Sequence, residues 1–265
     1  MTKKALLVIS FGTTYHDTRA KTISAIEQEL NRSLPDYDLF RSFTSRMVIT
    51  KLKKNNIEIE TPTEALQRIK NMGYDQVLCQ MTHVISGFEY EKALAEISSF
   101  QGKFARLVVG RPLLATESDF ILTAKAVINN TPKLKDNEAL LLMGHGSEHS
   151  SNQAYTILNN TFQQLGYENI FVGTVEGYPE IADVLGVLDQ SLQKIYLMPL
   201  MIVAGDHAHN DLAGEDEDSW KSILSSRGFK TETIMKGLGE LPEIRDLFVQ
   251  HSRDSLDISQ VSGLT

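Results

Sequence analysis

The chain has 265 residues, 42% hydrophobic and 23% charged, which is enough apolar material for two small cores or one duplicated fold. A net charge of −8 argues against nucleic acid or an anionic membrane surface as the main partner. The single cysteine, Cys79, excludes an internal disulfide framework and a thiolate-rich zinc site.

The N-terminus reads MTKKALLVIS and breaks at Phe11-Gly12, too short an apolar run for a signal-peptide core. No stretch approaches the roughly 18 apolar residues of a membrane helix, so a cytoplasmic location and no membrane partner are expected. Ala5 to Ser10 (ALLVIS) is the first expected strand, and a helix follows Asp17 with Ile23, Ile26 and Leu30 on one face. Asp38 to Phe43 reads as a second strand. Thr61-Pro62 starts a helix, with threonine as cap and proline in the first turn, and that helix ends near Gly73. Gln76 to Met81 is the third strand, Glu89 to Phe100 a helix and Ala105 to Val109 the fourth strand. Polar residues Thr131 to Asn137 then mark a boundary between a lobe over 1–130 and a second over 138–265.

The same order follows: Ala139 to Met143, Asn169 to Val175, Lys194 to Leu200 and Thr231 to Met235 are strands, and Gly166 and Gly228 stand at helix ends. Ser252 to Thr265 carry little pattern and are expected to fray. Aligning Ala5-Leu6-Leu7 with Ala139-Leu140-Leu141 places Phe11-Gly12-Thr13 on His145-Gly146-Ser147. Gln80 to Glu89 falls on Met198 to His207 in the same way. The expected fold is α/β: two similar lobes, each a four-stranded parallel sheet flanked by helices, with a cleft between them.

In that alignment the loops after the first and third strands offer Phe11 and Glu89 in one lobe, His145 and His207 in the other. Strand carboxyl ends are where open α/β sheets hold ligands. Two imidazoles and a carboxylate suit a divalent first-row metal ion. Each residue also has a plainer reading: His145 caps a turn between Gly144 and Gly146, Glu89 is a helix-start acid, and His207 is a solvated loop histidine. His83, inside the apolar run Met81 to Ile85, reads as a hydrogen-bonded buried histidine. His149 and His209 stand near the candidates and line an entrance or orient the ligands, or do neither. The acidic run Glu215 to Asp218 reads first as a solvated loop or helix start. Arg41, Arg46, Lys51, Lys53 and Lys54 offer partners for an acidic ligand, or form an exposed face. Gly237-Leu238-Gly239 resembles a phosphate turn only loosely.

Leu7-Val8-Ile9-Ser10-Phe11-Gly12-Thr13, Met143-Gly144-His145-Gly146, the run Met198 to His207 and Asp218-Ser219-Trp220 together resemble the anaerobic, class II cobaltochelatases of cobalamin biosynthesis. The resemblance extends over nearly the whole chain. It implies a chelatase-like fold related to ferrochelatase, and ATP-independent insertion of Co²⁺ into sirohydrochlorin with no nucleotide. Carried over by position, the metal site falls on His145, Glu89 and His207, with His145 the main catalytic base and Glu89 helping to pass protons. Ser10, Phe11, Gly12, Thr13, Gly144 and Gly146 are expected to face the tetrapyrrole. Cobalt enters as substrate, and sirohydrochlorin and the divalent ion are the partners. A related chelatase using Fe²⁺ or Ni²⁺ and a non-catalytic cytosolic carrier are the alternatives. The oligomeric state is open, a homo-oligomer included.

Overall fold

The computed structural model describes residues 2–261. The chain divides into two compact units, Met1–Ala115 with Ile244–Thr265, and Thr116–Glu243.

In the first unit, β1 (Lys4–Ser10) is followed by α1 (His16–Lys21), α2 (Ile23–Ser33), β2 (Asp38–Phe43), α3 (Arg46–Lys54), α4 (Pro62–Asn71), β3 (Gln76–Met81), α5 (Phe88–Ser98) and β4 (Arg106–Gly110). The second unit holds α6 (Glu117–Asn130), β5 (Glu138–Gly144), α7 (Gln153–Gln164), β6 (Ile170–Thr174), α8 (Ile181–Val187), β7 (Lys194–Pro199), α9 (Trp220–Ser226) and β8 (Lys230–Thr233). Then α10 (Pro242–Arg253) brings the chain back to the first unit, where β9 (Leu256–Asp257) and α11 (Ile258–Val261) end the described residues.

Strand choice follows from burial. Ala5 to Ile9 in β1 and Ala139 to Met143 in β5 are inaccessible on both faces, which continuous branched apolar runs in parallel sheets require. These two strands stand inside their sheets, in the orders β2-β1-β3-β4-β9 and β6-β5-β7-β8. Counted within each unit, the parallel part of both sheets has the order 2-1-3-4. The internal repeat is therefore present in the topology. Capping agrees with the sequence too: Thr61 accepts from the Glu64 amide and Glu64 reaches back to the Thr61 amide, with Pro62 at the first position of α4.

Two expectations are corrected. The first sheet has five strands rather than four, because Leu256 and Asp257 pair antiparallel with Val109 and Val108. A two-residue strand has no readable alternation, yet it pairs the β4 edge, and Ile258 beyond it is buried among Ile97, Leu107 and Val109. Much of Ser252 to Thr265 is thus built in; residues 262–265 of that expectation lie outside the described residues.

The boundaries 1–130 and 138–265 also differ from the observed units. Helix α6 belongs to the second unit, where Asn130 donates to Glu243 at 3.0 Å. Residues 244–261 belong to the first, where Ser252 in α10 donates to Gln80 at 2.8 Å. The polar segment 131–137 is a loop within the second unit, so its composition marked a connection but not a domain border.

Candidate metal and tetrapyrrole site

In each sheet the strand order reverses beside the first strand of the unit, and the loops leaving the first and third strands emerge side by side at the carboxyl ends. In the second unit these loops carry His145, just after β5, and His207, eight residues after β7. β5 and β7 pair in parallel up to Met143 opposite Pro199, and Leu200 then donates to the Met143 carbonyl at 2.7 Å. That register brings the two imidazoles together, their centroids 4.7 Å apart and their planes at 85°.

Each ring is held through Nδ1. His145 Nδ1 lies 2.9 Å from the Gly146 carbonyl oxygen, and His207 Nδ1 lies 2.8 Å from the Asp211 carboxylate. Both partners only accept, so in the neutral rings Nδ1 carries the proton and Nε2 keeps its lone pair. A histidine fixed in this way by a carbonyl or carboxylate is the usual state of a metal-binding imidazole. Side-chain exposures of 46% for His145 and 35% for His207 leave the rings open to solvent.

Glu176, in the loop after β6, adds a carboxylate 3.9 Å from His145 Nδ1, and its amide donates to the His145 carbonyl at 2.7 Å. Sequence analysis missed Glu176, although it leaves the neighbouring strand of the same sheet. Sequence analysis also missed Asp211, although its place four residues after His207, on the helical turn Ala208–Leu212, is the spacing at which two side chains meet. Gly146 is required by geometry, since its φ of +83° disfavours any side chain and a Cβ would stand 2.0 Å from the Glu176 carbonyl oxygen. Gly144 gives its space to the ring of Tyr155.

The first unit presents the counterpart loops. Phe11 is exposed, Ser10 is buried with its hydroxyl accepting from Thr82, Gly12 turns the chain against Phe43, and Thr13 accepts from the Tyr15 amide. Glu89 is the second residue of α5. One of its carboxylate oxygens lies 3.8 Å from Lys92, while the other is buried without a hydrogen-bond partner. Among the described residues no group of three or more His, Cys, Asp or Glu side chains is poised to hold a metal ion. The second unit thus joins His145 to His207, and Glu89 belongs to the other unit.

Several expectations change. His83 is half-buried and not hydrogen-bonded: both ring nitrogens are shut off from solvent without a partner, and that desolvation pushes its pKa down to about 4. Its backbone carbonyl and that of Val84 accept from the Leu113 and Leu114 amides, and the ring stands edge-on to Tyr90. Arg41 is not available to a ligand. It grips the buried Glu27 carboxylate, donates to Ser24 at 2.9 Å, and that pairing raises its pKa. His149 caps a short turn by accepting from the Ser151 amide. The acidic run precedes α9 as a loop, with Glu215 paired to Lys221 at 2.5 Å. At Gly237 the backbone of 202–204 packs where a Cβ would stand. Cys79 is buried in β3, its thiol pushed upward by desolvation, and so is no thiolate ligand.

A model of the cobalt chelatase (CbiK) family matches residues 4–257. The chain belongs to that family. It is 43% identical over 259 residues to a sirohydrochlorin cobaltochelatase of Salmonella typhimurium, covering 97% of this chain and 98% of that one. Identity to the sirohydrochlorin cobaltochelatase CbiKC of Nitratidesulfovibrio vulgaris is 29% over 255 residues, covering 95% and 90% of the two chains. Among solved structures, SirB from Bacillus subtilis with Fe³⁺ superimposes with a TM-score of 0.65 at 12% identity, over 96% of this chain and 95% of that one. CbiX, the terminal enzyme of sirohaem biosynthesis in denitrifying bacteria, gives 0.59 at 18%, over 95% and 99%. At those identities the two structures establish the chelatase fold. The fold expected from sequence is thereby borne out, as is membership of the cobaltochelatases.

Proposed function

We propose that this chain inserts Co²⁺ into sirohydrochlorin, the activity for which these two relatives are named, and that the macrocycle gives up its two inner N–H protons in the exchange. The observation that carries the reading onto residues is the His145–His207 pair, whose Nε2 lone pairs are both free for an incoming ion. Neutral imidazole is a borderline donor suited to first-row divalent ions, and two of them leave coordination positions open for pyrrole nitrogens. His145 and His207 hold the ion before transfer. As the pyrrole nitrogens replace them, a freed imidazole takes a proton, which histidine does near neutral pH.

In this reading Glu176 steadies the charge that His145 gains, and Glu89 supplies the first unit's carboxylate for moving protons onward. Phe11, exposed at the end of β1, packs on the ring. Two protons leave as a dication enters, so the exchange is balanced in charge, and we propose that it runs without nucleotide. We place the reaction in the cytoplasm. No helix among the described residues is long and apolar enough to cross a membrane.

The test is to mix the protein with Co²⁺ and sirohydrochlorin and follow the tetrapyrrole absorption spectrum, with Fe²⁺ and Ni²⁺ in parallel. Cobalt insertion well above the protein-free rate, and faster than with the other two ions, is expected. A spectrum changing no faster than the control leaves a carrier; a faster rate with iron or nickel reassigns the metal.

A further inference from the structure

Beyond the ends of β5 and β6 the two loops stay joined, although neither strand continues. Val175 donates to the Gly144 carbonyl at 3.1 Å, and Glu176 to the His145 carbonyl at 2.7 Å. Two residues further on, the bridge is a side chain. Asn152 Oδ1 accepts from the Ser147 amide at 2.9 Å, and Asn152 Nδ2 donates to the Tyr178 carbonyl at 2.5 Å. The two partners fix the orientation of the side-chain amide, since a backbone N–H needs an acceptor and a carbonyl needs a donor.

Asn152 thus takes the place of a peptide unit, offering one acceptor and one donor as a backbone rung would. The segment it reaches is closed in other ways as well. Thr174 Oγ1 donates to the Gly177 carbonyl at 2.8 Å, and the Thr174 amide to the Pro179 carbonyl at 2.7 Å. Gly177, at φ +127°, lies so close that a Cβ would stand 2.9 Å from the Ser147 carbonyl oxygen and 3.1 Å from Asn152 Oδ1. Asn152 itself is half-buried at the start of α7, where its own amide donates to the His149 carbonyl at 2.9 Å. Glu176 is therefore held from both sides: its amide by His145 before it, and the Tyr178 carbonyl by Asn152 after it. Its carboxylate stands 3.9 Å from His145 Nδ1, on a side chain that is 64% exposed. An acid so exposed has little packing of its own, so its place is set by the backbone that carries it.

We propose that Asn152 is a positioning residue for metal insertion: its side-chain amide ties Ser147 to Tyr178, and thereby keeps the Glu176 carboxylate beside His145. This rests on the function proposed above, in which Glu176 steadies the charge that His145 gains. Asn152 acts only through that carboxylate. Without the bridge, residues 176–178 keep their rung on His145 but lose the anchor beyond it, and the carboxylate is free to swing away from the imidazole. A displacement of about an ångström in a group that assists the chemistry is enough to lower the rate.

The experiment compares wild type, Asn152→Ala, Glu176→Gln and the double variant. It reads kcat and KM for cobalt insertion, and the visible bands of Co²⁺ titrated without tetrapyrrole. Asn152→Ala should lower kcat about tenfold, the scale of two lost net hydrogen bonds, with the KM for sirohydrochlorin within about twofold of wild type. It should also weaken Co²⁺ binding by about threefold or more. The double variant decides the route. If Asn152 acts through Glu176, the double variant stays within about twofold of Glu176→Gln alone on both readouts. Losses that multiply show a merely structural prop and overturn the proposal. So does a Glu176→Gln protein that matches wild type, or a folded Asn152→Ala protein with unchanged kcat and Co²⁺ affinity. Asn152→Asp guards against misfolding: it suits a helix start, keeps the acceptor for Ser147, and removes only the donor to Tyr178. It should track Asn152→Ala, and wild-type behaviour on both readouts overturns the bridge. If wild type itself shows no insertion above the protein-free rate, the functional reading fails, and the Co²⁺ titrations still decide whether Asn152 acts through Glu176. If wild type inserts cobalt and the Asn152 variants match it, only the positioning role fails.

Discussion

Replacing His83 with phenylalanine should stabilise the protein, and by an amount that depends on pH. The ring stands two residues beyond β3, both its nitrogens are buried without partners, and it meets Tyr90 edge-on at 6.1 Å between centroids. A buried polar group without a hydrogen bond costs about 1–3 kcal/mol. Phenylalanine keeps the edge-to-face contact and removes both orphan nitrogens, at some cost for its larger ring. The net gain expected near pH 7 is about 1–2 kcal/mol. The pH dependence follows from the lowering of the His83 pKa from 6.5 to about 4. Between those values the unfolded chain binds the proton and the folded chain does not. Stability therefore falls as pH drops below 6.5, and this loss stops growing below about 4. At roughly 1.4 kcal/mol per pH unit, the wild type should lose about 2 kcal/mol through this group between pH 7 and pH 5. Urea unfolding followed by circular dichroism at both pH values gives the difference between wild type and His83→Phe. An advantage that is equal at pH 7 and pH 5, or a variant less stable than wild type at pH 7, would refute the reasoning.

Two further outcomes concern His145 and His207. His145→Ala should reduce cobalt insertion by on the order of 100-fold or more, the usual scale for a positioned proton acceptor, while thermal unfolding changes little because the ring is half exposed; wild-type rates would remove His145 from the site. Asp211→Asn should weaken Co²⁺ binding by about 10–100-fold, because an amide partner no longer enforces the Nδ1-protonated ring of His207. Spectroscopic cobalt titration reads this directly, and an unchanged affinity shows that the Asp211 contact does not set the ligand form of His207.

Much of the scaffold was legible because its strands are buried on both faces. ALLVIS and ALLLM leave no polar face to confuse the reading, and β2 and β3 begin and end where the sequence places them. Leu256 and Asp257 were not legible, because a two-residue edge strand is specified by its partner rather than by alternation. The unit boundaries failed for a related reason. Helix α6 is amphipathic in either unit, and only its packing on α7 and the Asn130–Glu243 contact decide which it joins. In the site, His145 and His207 could be found because glycine turns mark strand ends. Glu176 could not, since a loop glutamate is ordinary until its backbone contact brings it under the His145 turn. Arg41 misled in the opposite direction: its charge suggested an acidic ligand, but the buried carboxylate of Glu27 had already taken it.

The duplication also explains why the free imidazoles sit together on one sheet. Both units have the strand order 2-1-3-4, so each offers two neighbouring loops at its reversal point. In the first unit those loops carry a phenylalanine and a glutamate; in the second they carry two histidines. The two loops leave adjacent parallel strands, β5 and β7, and His207 opens the helical turn Ala208–Leu212 eight residues beyond β7, so the pair is assembled within one unit. An ion that must be released again is better served by two well-placed nitrogens than by a closed cage. In the function proposed above, one copy of the repeat holds the ion, while the other carries an apolar side chain and a single carboxylate at the equivalent positions.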